Sequence, residues 1–129
     1  MSLTFKKVAI VGSREFKNYN QLKERVLGIL GPNDWIVSGG AVGADSFAQR
    51  LAKEIGVPIL IFYPRWRNKV NGKDIYDAGA GFKRNEKIAE EADIVVAFYQ
   101  KGRFKQGGTA NTAMWARKLN KELIEIEEE

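Results

Sequence analysis

The amino-acid sequence predicts a single α/β domain over residues 1–129, with a doubly wound, mainly parallel five-stranded sheet in the order 3-2-1-4-5 and helices on both faces. Two observations and one rule of chain topology lead to this fold class. Strand-like and helix-like segments alternate along the whole chain. The first four strand segments are nearly continuous apolar runs, which is typical of strands covered on both faces. Parallel neighbours require right-handed crossovers, and such crossovers build a doubly wound sheet.

The first half of the chain predicts two strand–helix units and a third strand. In chain order these are a strand at 8–12, a helix ending before 31–32, a strand at 34–37, a helix ending at 56 and a strand at 58–63. Leu22, Val26 and Ile29 recur at helical spacing, whereas β-branched apolar residues mark the strands. Gly31-Pro32 and Gly56 end the two helices, because glycine and proline favour helix termination.

The second half begins with a segment that has no clear period. Residues 64–80 are rich in glycine, asparagine, aspartate and aromatic residues, and we interpret them as a long loop. The remaining predicted elements are a helix at 82–92, a strand at 93–98, a helix at 107–120 and a strand at 122–126. Ligands of such sheets bind beyond the carboxyl ends of the strands, so the segments that follow the strands are the candidate site.

The composition excludes several kinds of chemistry. The chain has no cysteine and no histidine, which excludes disulfides, thiolate nucleophiles and the usual catalytic triads, and we expect no metal and no other cofactor. The first apolar run is too short for a signal peptide, and no segment approaches the roughly 20 apolar residues of a membrane span. We therefore expect a cytoplasmic protein with no membrane partner. A net charge of +5 suits a phosphate-bearing ligand or a nucleic acid.

A glycine-rich segment joins the second strand to the second helix. It contains Gly39, Gly40, Ala41 and Gly43, and Asp45 follows in the first helical turn. Such a turn lets backbone N–H groups approach a phosphate, which predicts a phosphate-binding loop. The spacing matches neither G-x-G-x-x-G nor the P-loop, and a turn without ligand is the alternative. Asp45 either accepts from a ribose hydroxyl or is stabilised by the helix dipole alone.

Two further segments reach the same edge of the predicted sheet. Gly12, Ser13 and Arg14 follow the first strand, where the arginine can bind a phosphate bidentately or pair with Glu15 or Glu24. Gly107, Gly108 and Thr109 open the fourth helix. Their N–H groups and the threonine hydroxyl predict a phosphate contact, with a simple N-cap role for Thr109 as the alternative.

Three other side chains are candidates for ligand contact. Arg84 near the start of the third helix can reach an anion at this edge, and Asn85 offers a donor and an acceptor to a base or ribose. The alternative is that both residues lie on the helix surface and contact no ligand. Trp66 either stacks on a base or attaches its loop to the core.

One set of residues, spread from about residue 8 to residue 120, carries a family resemblance. It consists of Gly12-Ser13-Arg14, Ser38-Gly39-Gly40-Ala41, Gly43-Ala44-Asp45, Trp66, Gly72-Lys73, Ala80-Gly81, Arg84-Asn85, Ala92-Asp93 and Gly108-Thr109. Together these residues resemble the short YspA-type proteins of the SLOG superfamily. The resemblance implies a Rossmann-like domain that binds a nucleotide or a nucleotide-derived ligand and forms a homodimer.

Two branches of that superfamily imply rival activities. The phosphoribohydrolases that activate cytokinins use a helical arginine, similar in position to Arg84, and a glutamate whose place is taken here by Thr112. N-glycosidic cleavage passes through an oxocarbenium-like state that a carboxylate stabilises, so this branch implies Asp45 or Glu86 as a substitute. The DNA-processing branch binds single-stranded DNA in a basic groove, which the basic residues of segment 65–73 permit.

The sequence as a whole predicts a nucleotide-binding module or sensor. The expected partner is a nucleoside monophosphate or an ADP-ribose-like molecule, held by a homodimeric protein. A nucleotide N-glycosidase is the alternative, with Arg84, Asp45 and Glu86 as catalytic candidates. Binding of single-stranded DNA is a further alternative.

Overall fold

A computed structural model of the chain describes residues 4–40 and 43–129. Within these residues the chain forms β1 (Lys7–Gly12), α1 (Tyr19–Leu27), β2 (Trp35–Ser38), α2 (Ala44–Ile55), β3 (Ile59–Ile61), β4 (Arg67–Val70), β5 (Lys73–Tyr76), α3 (Ala80–Glu91), β6 (Ile94–Tyr99), α4 (Gly107–Lys118) and β7 (Glu122–Glu127). Strands and helices alternate except at β4 and β5. No helix in the described ranges is long and apolar enough to cross a membrane.

The main sheet has five parallel strands in the order β3-β2-β1-β6-β7. β1 lies at the centre, where Val8 is in register with Ile36 of β2 and with Ile94 of β6. β6 and β7 are the fourth and fifth sheet strands in chain order, so the predicted doubly wound sheet and its strand order are confirmed. The strand order reverses beside β1, which places a crevice at the carboxyl ends of β1 and β6.

The core consists of two apolar layers, one on each face of the sheet. Val8 and Ile10 of β1 pack with residues of α1 and α2, such as Leu22 and Leu51. Their neighbours Ala9 and Val11 belong to the opposite layer, which includes Ile88 of α3 and Ala116 of α4. Successive side chains of a strand point to opposite faces, so a fully apolar strand supplies both layers.

The segment at 64–80 is not a long loop throughout, and that prediction was wrong. β4 and β5 form a separate two-stranded antiparallel sheet within it. Asn71 and Gly72 connect them with φ angles of 52° and 79°, the conformation that a two-residue hairpin turn requires. Both strands are largely exposed, and their apolar residues cluster at the strand ends, so they lack the apolar alternation that marks a half-buried strand.

Backbone N–H groups at the start of α1 donate to the side chain of the N-cap residue and to a side chain that follows β7. Asn18 is the N-cap, and its Oδ1 accepts from the backbone N–H of Gln21 at 3.1 Å. Oε2 of Glu128, just after β7, accepts from the backbone N–H groups of Lys17 at 2.7 Å and Asn18 at 3.0 Å. The helix ends at Leu27 with Gly28 as C-cap, earlier than the predicted stop at Gly31.

Candidate functional site

A cavity of about 560 Å³ lies at the carboxyl edge of β1 and β6. The turn after β1, the start of α3, the loop after β6 and the start of α4 surround it. The predicted site residues that line it are Gly12, Ser13, Arg14, Asp45, Trp66, Arg84, Asn85, Gly107, Gly108 and Thr109. Chain segments that are distant in sequence therefore meet at the point where the strand order reverses.

The turn after β1 presents Ser13 and Arg14 at one side of the cavity. Oγ of Ser13 accepts from the backbone N–H of Glu15 at 3.1 Å, and its carbonyl oxygen accepts from the N–H of Phe16 at 3.2 Å. These bonds hold the turn in a compact form. Arg14 is exposed and forms no ion pair within the described part of the chain, so neither Glu15 nor Glu24 neutralises it.

Arg84 on α3 reaches Gly39, the residue that directly follows β2. Its Nη1 donates to the carbonyl oxygen of Gly39 at 2.6 Å, and its Nε donates to Oδ1 of Asn85 at 3.0 Å. The guanidinium is thus fixed in direction, and it still lines the cavity. Burial lowers the pKa of Arg84; the Asp45 carboxylate opposes this shift, and the charge of Arg14 adds to it. An anion in the cavity would relieve the unfavourable burial of this charge.

Asn85 is buried and positions its neighbours. Its Nδ2 donates to Oδ1 of Asn111 at 3.1 Å and to the carbonyl oxygen of Gly108 at 3.4 Å, while its Oδ1 accepts from Arg84. The side chain therefore joins α3 to the first turn of α4 instead of lying on an ordinary helix surface.

The N-terminus of α4 opens into the cavity. The helix begins at Gly107, and its N-cap residue, Gln106, provides no side-chain hydrogen bond. Thr109 lies inside the helix and is buried, so it does not act as the N-cap. Added Cβ atoms at Gly107 and Gly108 would meet nothing within 4 Å. The free backbone N–H groups of a first turn attract anions, and here the space beside them is open.

The glycines after β2 contact protein groups and do not line the cavity. A Cβ at Gly39 would lie 2.6 Å from Nη1 of Arg84 and 2.9 Å from Oδ2 of Asp45. Gly40 lies against the ring of Tyr63, and Gly43 against the backbone of the turn at Ser13 and Arg14. Gly40 and Gly43 also have positive φ angles, of 71° and 77°. Ala41 lies outside the described residues.

The acidic candidates occupy different places. Asp45, in the first turn of α2, is buried at the cavity wall near Arg84. Glu86 on α3 does not line the cavity. Thr112, where a glutamate would stand in the phosphoribohydrolases, is buried in the wall. The described ranges contain no cluster of three acidic residues that could hold a metal ion.

Sequence reasoning missed Arg103 and Tyr99, which also line the cavity. Arg103 lies in the loop after β6, and its position beyond a strand carboxyl end was the available signal. Tyr99, the last residue of β6, is buried, and its hydroxyl donates to Oε2 of Glu125 at 2.7 Å. It belongs to a continuous apolar run, so nothing in the pattern distinguished it from a core residue.

A family model described as DNA recombination-mediator protein A matches residues 1–71, which include β1, β2, α2 and the glycine-rich segment. The chain belongs to this family. A comparison with curated protein sequences gave no match.

The family's fold recurs in two solved structures. DNA processing protein A from Streptococcus pneumoniae superposes with a TM-score of 0.73 at 21% identity, over 94% of this chain and 50% of that one. DNA processing protein A from Helicobacter pylori superposes with a TM-score of 0.64 at 21% identity. Its structure is described as giving insight into a unique single-stranded DNA binding mode. The match covers 93% of this chain and 64% of the Helicobacter protein. This member of the family therefore spans half to just under two thirds of the length of these relatives.

Proposed function

We propose that the cavity binds single-stranded DNA by its phosphate groups. The observation that carries the proposal is that Arg14, Arg84 and Arg103 line the same cavity as the uncapped N-terminus of α4. Arginine guanidinium groups and helix N-termini are both strong phosphate ligands. Three guanidinium groups and one helix N-terminus along one open space provide sites for consecutive phosphates or for one phosphate with its sugar.

Family membership supports a single-stranded DNA ligand. The matching family is described as a DNA recombination mediator, and the Helicobacter relative is described as binding single-stranded DNA. The chain also carries a net charge of +5, which favours association with a polyanion. The further alternative drawn from the sequence, DNA binding, thus becomes the first proposal.

A nucleotide is the second candidate ligand, because of the size of the cavity. A volume of about 560 Å³ lies within the roughly 300 to 1,000 Å³ of small-molecule sites. A nucleoside monophosphate or an ADP-ribose-like molecule would place its phosphate against the first turn of α4. The YspA-type assignment and the homodimer belong to this second proposal.

N-glycosidase activity has weaker support from the geometry. Asp45 is the buried carboxylate of the cavity wall, and the charge of Arg84 lies close to it. Glu86 is outside the lining. The guanidinium already interacts with the charge of this carboxylate, so less of that charge is left to stabilise an oxocarbenium-like state. We therefore propose binding without turnover.

The test is a fluorescence anisotropy titration of a labelled oligothymidylate at several salt concentrations. Arg14→Gln and Arg103→Gln each remove one exposed cation from the cavity rim. Arg25→Gln is the matched control, because Arg25 is exposed in the last turn of α1, at the opposite edge of the sheet. We expect each rim variant to weaken binding and to lower the salt slope by about 0.7, the value for one single-strand phosphate contact. The control should bind like the wild type.

Competition by AMP and ADP-ribose separates the two candidate ligands. Displacement of the oligonucleotide by micromolar AMP, together with weak salt dependence, would favour the nucleotide proposal. Release of free base from AMP or of nicotinamide from NAD, followed by proton NMR, would contradict binding without turnover. Equal affinities of the rim variants and the wild type would exclude the cavity as the DNA site.

A further inference from the structure

The hairpin of β4 and β5 projects from the domain as an arm, defined here as residues 65–77. Its strands pair with each other and with no strand of the main sheet, and seven of their eight residues are exposed. A two-stranded hairpin is at best marginally stable in water. The Asn71-Gly72 turn supports this one at its tip, and the backbone N–H of Asp77 donates to the carbonyl oxygen of Trp66 at 2.6 Å at its base.

The arm is basic and its cations are not neutralised. Arg65, Arg67, Lys69 and Lys73 form no ion pair within the part of the chain that the structure describes. Asp77 at its base is held by Lys83 of α3, with 2.6 Å between Oδ2 and Nζ. The remaining acid, Asp74, lies opposite Lys69 in the strand register. The arm therefore presents a net positive charge to solvent.

A pair of aromatic rings connects the arm to the cavity. The rings of Trp66 and Tyr76 are stacked, with their centroids 6.0 Å apart and an angle of 11° between their planes. Trp66 lines the cavity, and its indole edge lies against Gly81 in the first turn of α3. Tyr76 is 60% exposed. The stack thus begins at the cavity wall and ends at the solvent.

The two faces of the arm differ in what they offer to a ligand. Arg67 is in register with Tyr76, so the two side chains share one face. Val70 is in register with Lys73, and this pair shares the other face. On the first face, the Arg67 cation lies beside the exposed Tyr76 ring, which stacks on Trp66 at the cavity. This arrangement matches the alternating phosphates and bases of an unpaired strand. Bases of a duplex are not available for such stacking.

We propose that the arm binds the part of a single strand that leaves the cavity, with bases on the Trp66–Tyr76 stack and phosphates at Arg67 and Lys69. The inference rests on the proposed function and extends it, because it assigns a second contact region outside the cavity. Charge complementarity and continuity with the cavity lining support this occupant over a protein partner. The binding site then covers more nucleotides than the cavity alone can hold.

The test compares short and long oligothymidylates, of about 4 and about 16 nucleotides, which span the usual range of single-strand site sizes. The arm variant combines Arg67→Gln with Tyr76→Ala. The control combines Lys73→Gln with Val70→Ala, which removes one cation and one apolar side chain from the opposite face. Because loss of Tyr76 also removes the ring stack, Arg67→Gln with Lys69→Gln is a second variant that leaves both rings in place.

We expect the wild type to bind the long oligonucleotide at least tenfold more tightly than the short one. Both arm variants should lose most of this difference but bind the short oligonucleotide like the wild type. The control should keep the difference. The double charge variant should also lower the salt slope for the long oligonucleotide by about 1.4, since each lost phosphate contact removes about 0.7.

The outcomes separate this inference from the proposed function. If the wild type binds both lengths and the arm variants match it, the arm inference fails and the cavity proposal stands. If the wild type binds neither length, both fail. If polyglutamate displaces the long oligonucleotide at equal charge concentration, the arm is a general anion surface and the stacking part of the inference is overturned.

Discussion

Arg84 of α3 and Gly39 after β2 are joined by a hydrogen bond of 2.6 Å from Nη1 to the carbonyl oxygen. The bond connects two segments that are 45 residues apart and fixes the direction of the guanidinium. It forms because Gly39 has no side chain, since a Cβ there would itself lie 2.6 Å from Nη1. Gly39 therefore fixes the position of the Arg84 guanidinium in the cavity, although Gly39 does not line the cavity itself.

Substitution of Gly39 by alanine should weaken DNA binding more than it weakens the fold. The added Cβ would displace the far end of a flexible side chain, which can move at low cost in stability. We expect Gly39→Ala to lower the affinity for an oligothymidylate about tenfold, as loss of roughly 1.4 kcal/mol implies. Anisotropy titrations and urea unfolding of the same protein measure the two effects.

Gly28→Ala is the matched control for this change. Gly28 caps α1 with a φ of −73°, and its Cβ would have no neighbour closer than 3.5 Å. We expect the control to bind DNA like the wild type. A large loss of stability in Gly39→Ala with unchanged affinity would contradict the assignment.

Gly12 should be far less tolerant of alanine than Gly108. A Cβ at Gly12 would collide with the Cβ of Ala44 and lie 2.6 Å from the carbonyl oxygen of Phe98, and neither group can move without shifting α2 or β6. We expect Gly12→Ala to reduce the free energy of unfolding by about 1 to 3 kcal/mol, as overpacking does. Gly108→Ala, in open space on α4, should be neutral or stabilising in the same urea titrations.

The fold could be predicted because its strands are almost entirely apolar. All six residues from Ile94 to Tyr99 are buried. A fully apolar run of this length, between a helix and a loop, is typical of a strand that is covered on both faces. The arm could not be predicted from periodicity, since its strands are exposed on both faces and bury no apolar side. Its one local signal was the Asn71-Gly72 dipeptide, which by itself favours a hairpin.

The sequence predicted the location of the candidate site more accurately than the contacts of its individual residues. The rule that ligands bind at strand carboxyl ends brought Ser13, Arg84 and Thr109 together, and the structure has all three in one cavity. The same rule could not tell that Gly39 and Gly40 contact protein groups. That distinction depends on where Arg84 and Tyr63 extend, and side-chain direction in three dimensions is not encoded in local spacing.

The hydroxyl of Tyr99 should contribute measurably to stability. It donates to Glu125, whose other carboxylate oxygen contacts Arg117, and burial raises the pKa of Tyr99 above its usual value, with Glu125 adding to the shift. The phenol therefore remains a donor at neutral pH. We expect Tyr99→Phe to lower the free energy of unfolding by about 1 kcal/mol, the usual net value of one hydrogen bond. Tyr63→Phe, at an exposed ring, should change it very little.

Acid should loosen the junction between the arm and α3. Lys83 lowers the pKa of Asp77 below its ordinary value of 3.8, and the N–H of Gly79 at 2.9 Å acts in the same direction. A depressed folded-state pKa gives stability that is present above the unfolded value and is lost as the pH falls through the folded value. We expect the melting temperature of Asp77→Asn to depend less on pH between 5 and about 2 than that of the wild type.

Asp74→Asn is the control for the acid experiment, because Asp74 is in the arm but forms no ion pair among the described residues. It should follow the wild-type pH dependence. Identical curves for all three proteins would show that Asp77 does not stabilise the junction. The amide resonance of Gly79, followed by NMR, should shift with the titration of Asp77 in the wild type and in Asp74→Asn, but not in Asp77→Asn.

The carboxylate of Glu128 has a consequence for the order of folding. It accepts from the N–H groups of Lys17 and Asn18 across 111 and 110 residues of sequence, so the start of α1 is completed only after β7 has joined the sheet. Contacts of such long separation form late because closing the intervening loop costs chain entropy. The amide protons of Lys17 and Asn18 should therefore exchange with solvent whenever the edge strand detaches, and they report its opening without a probe on β7 itself.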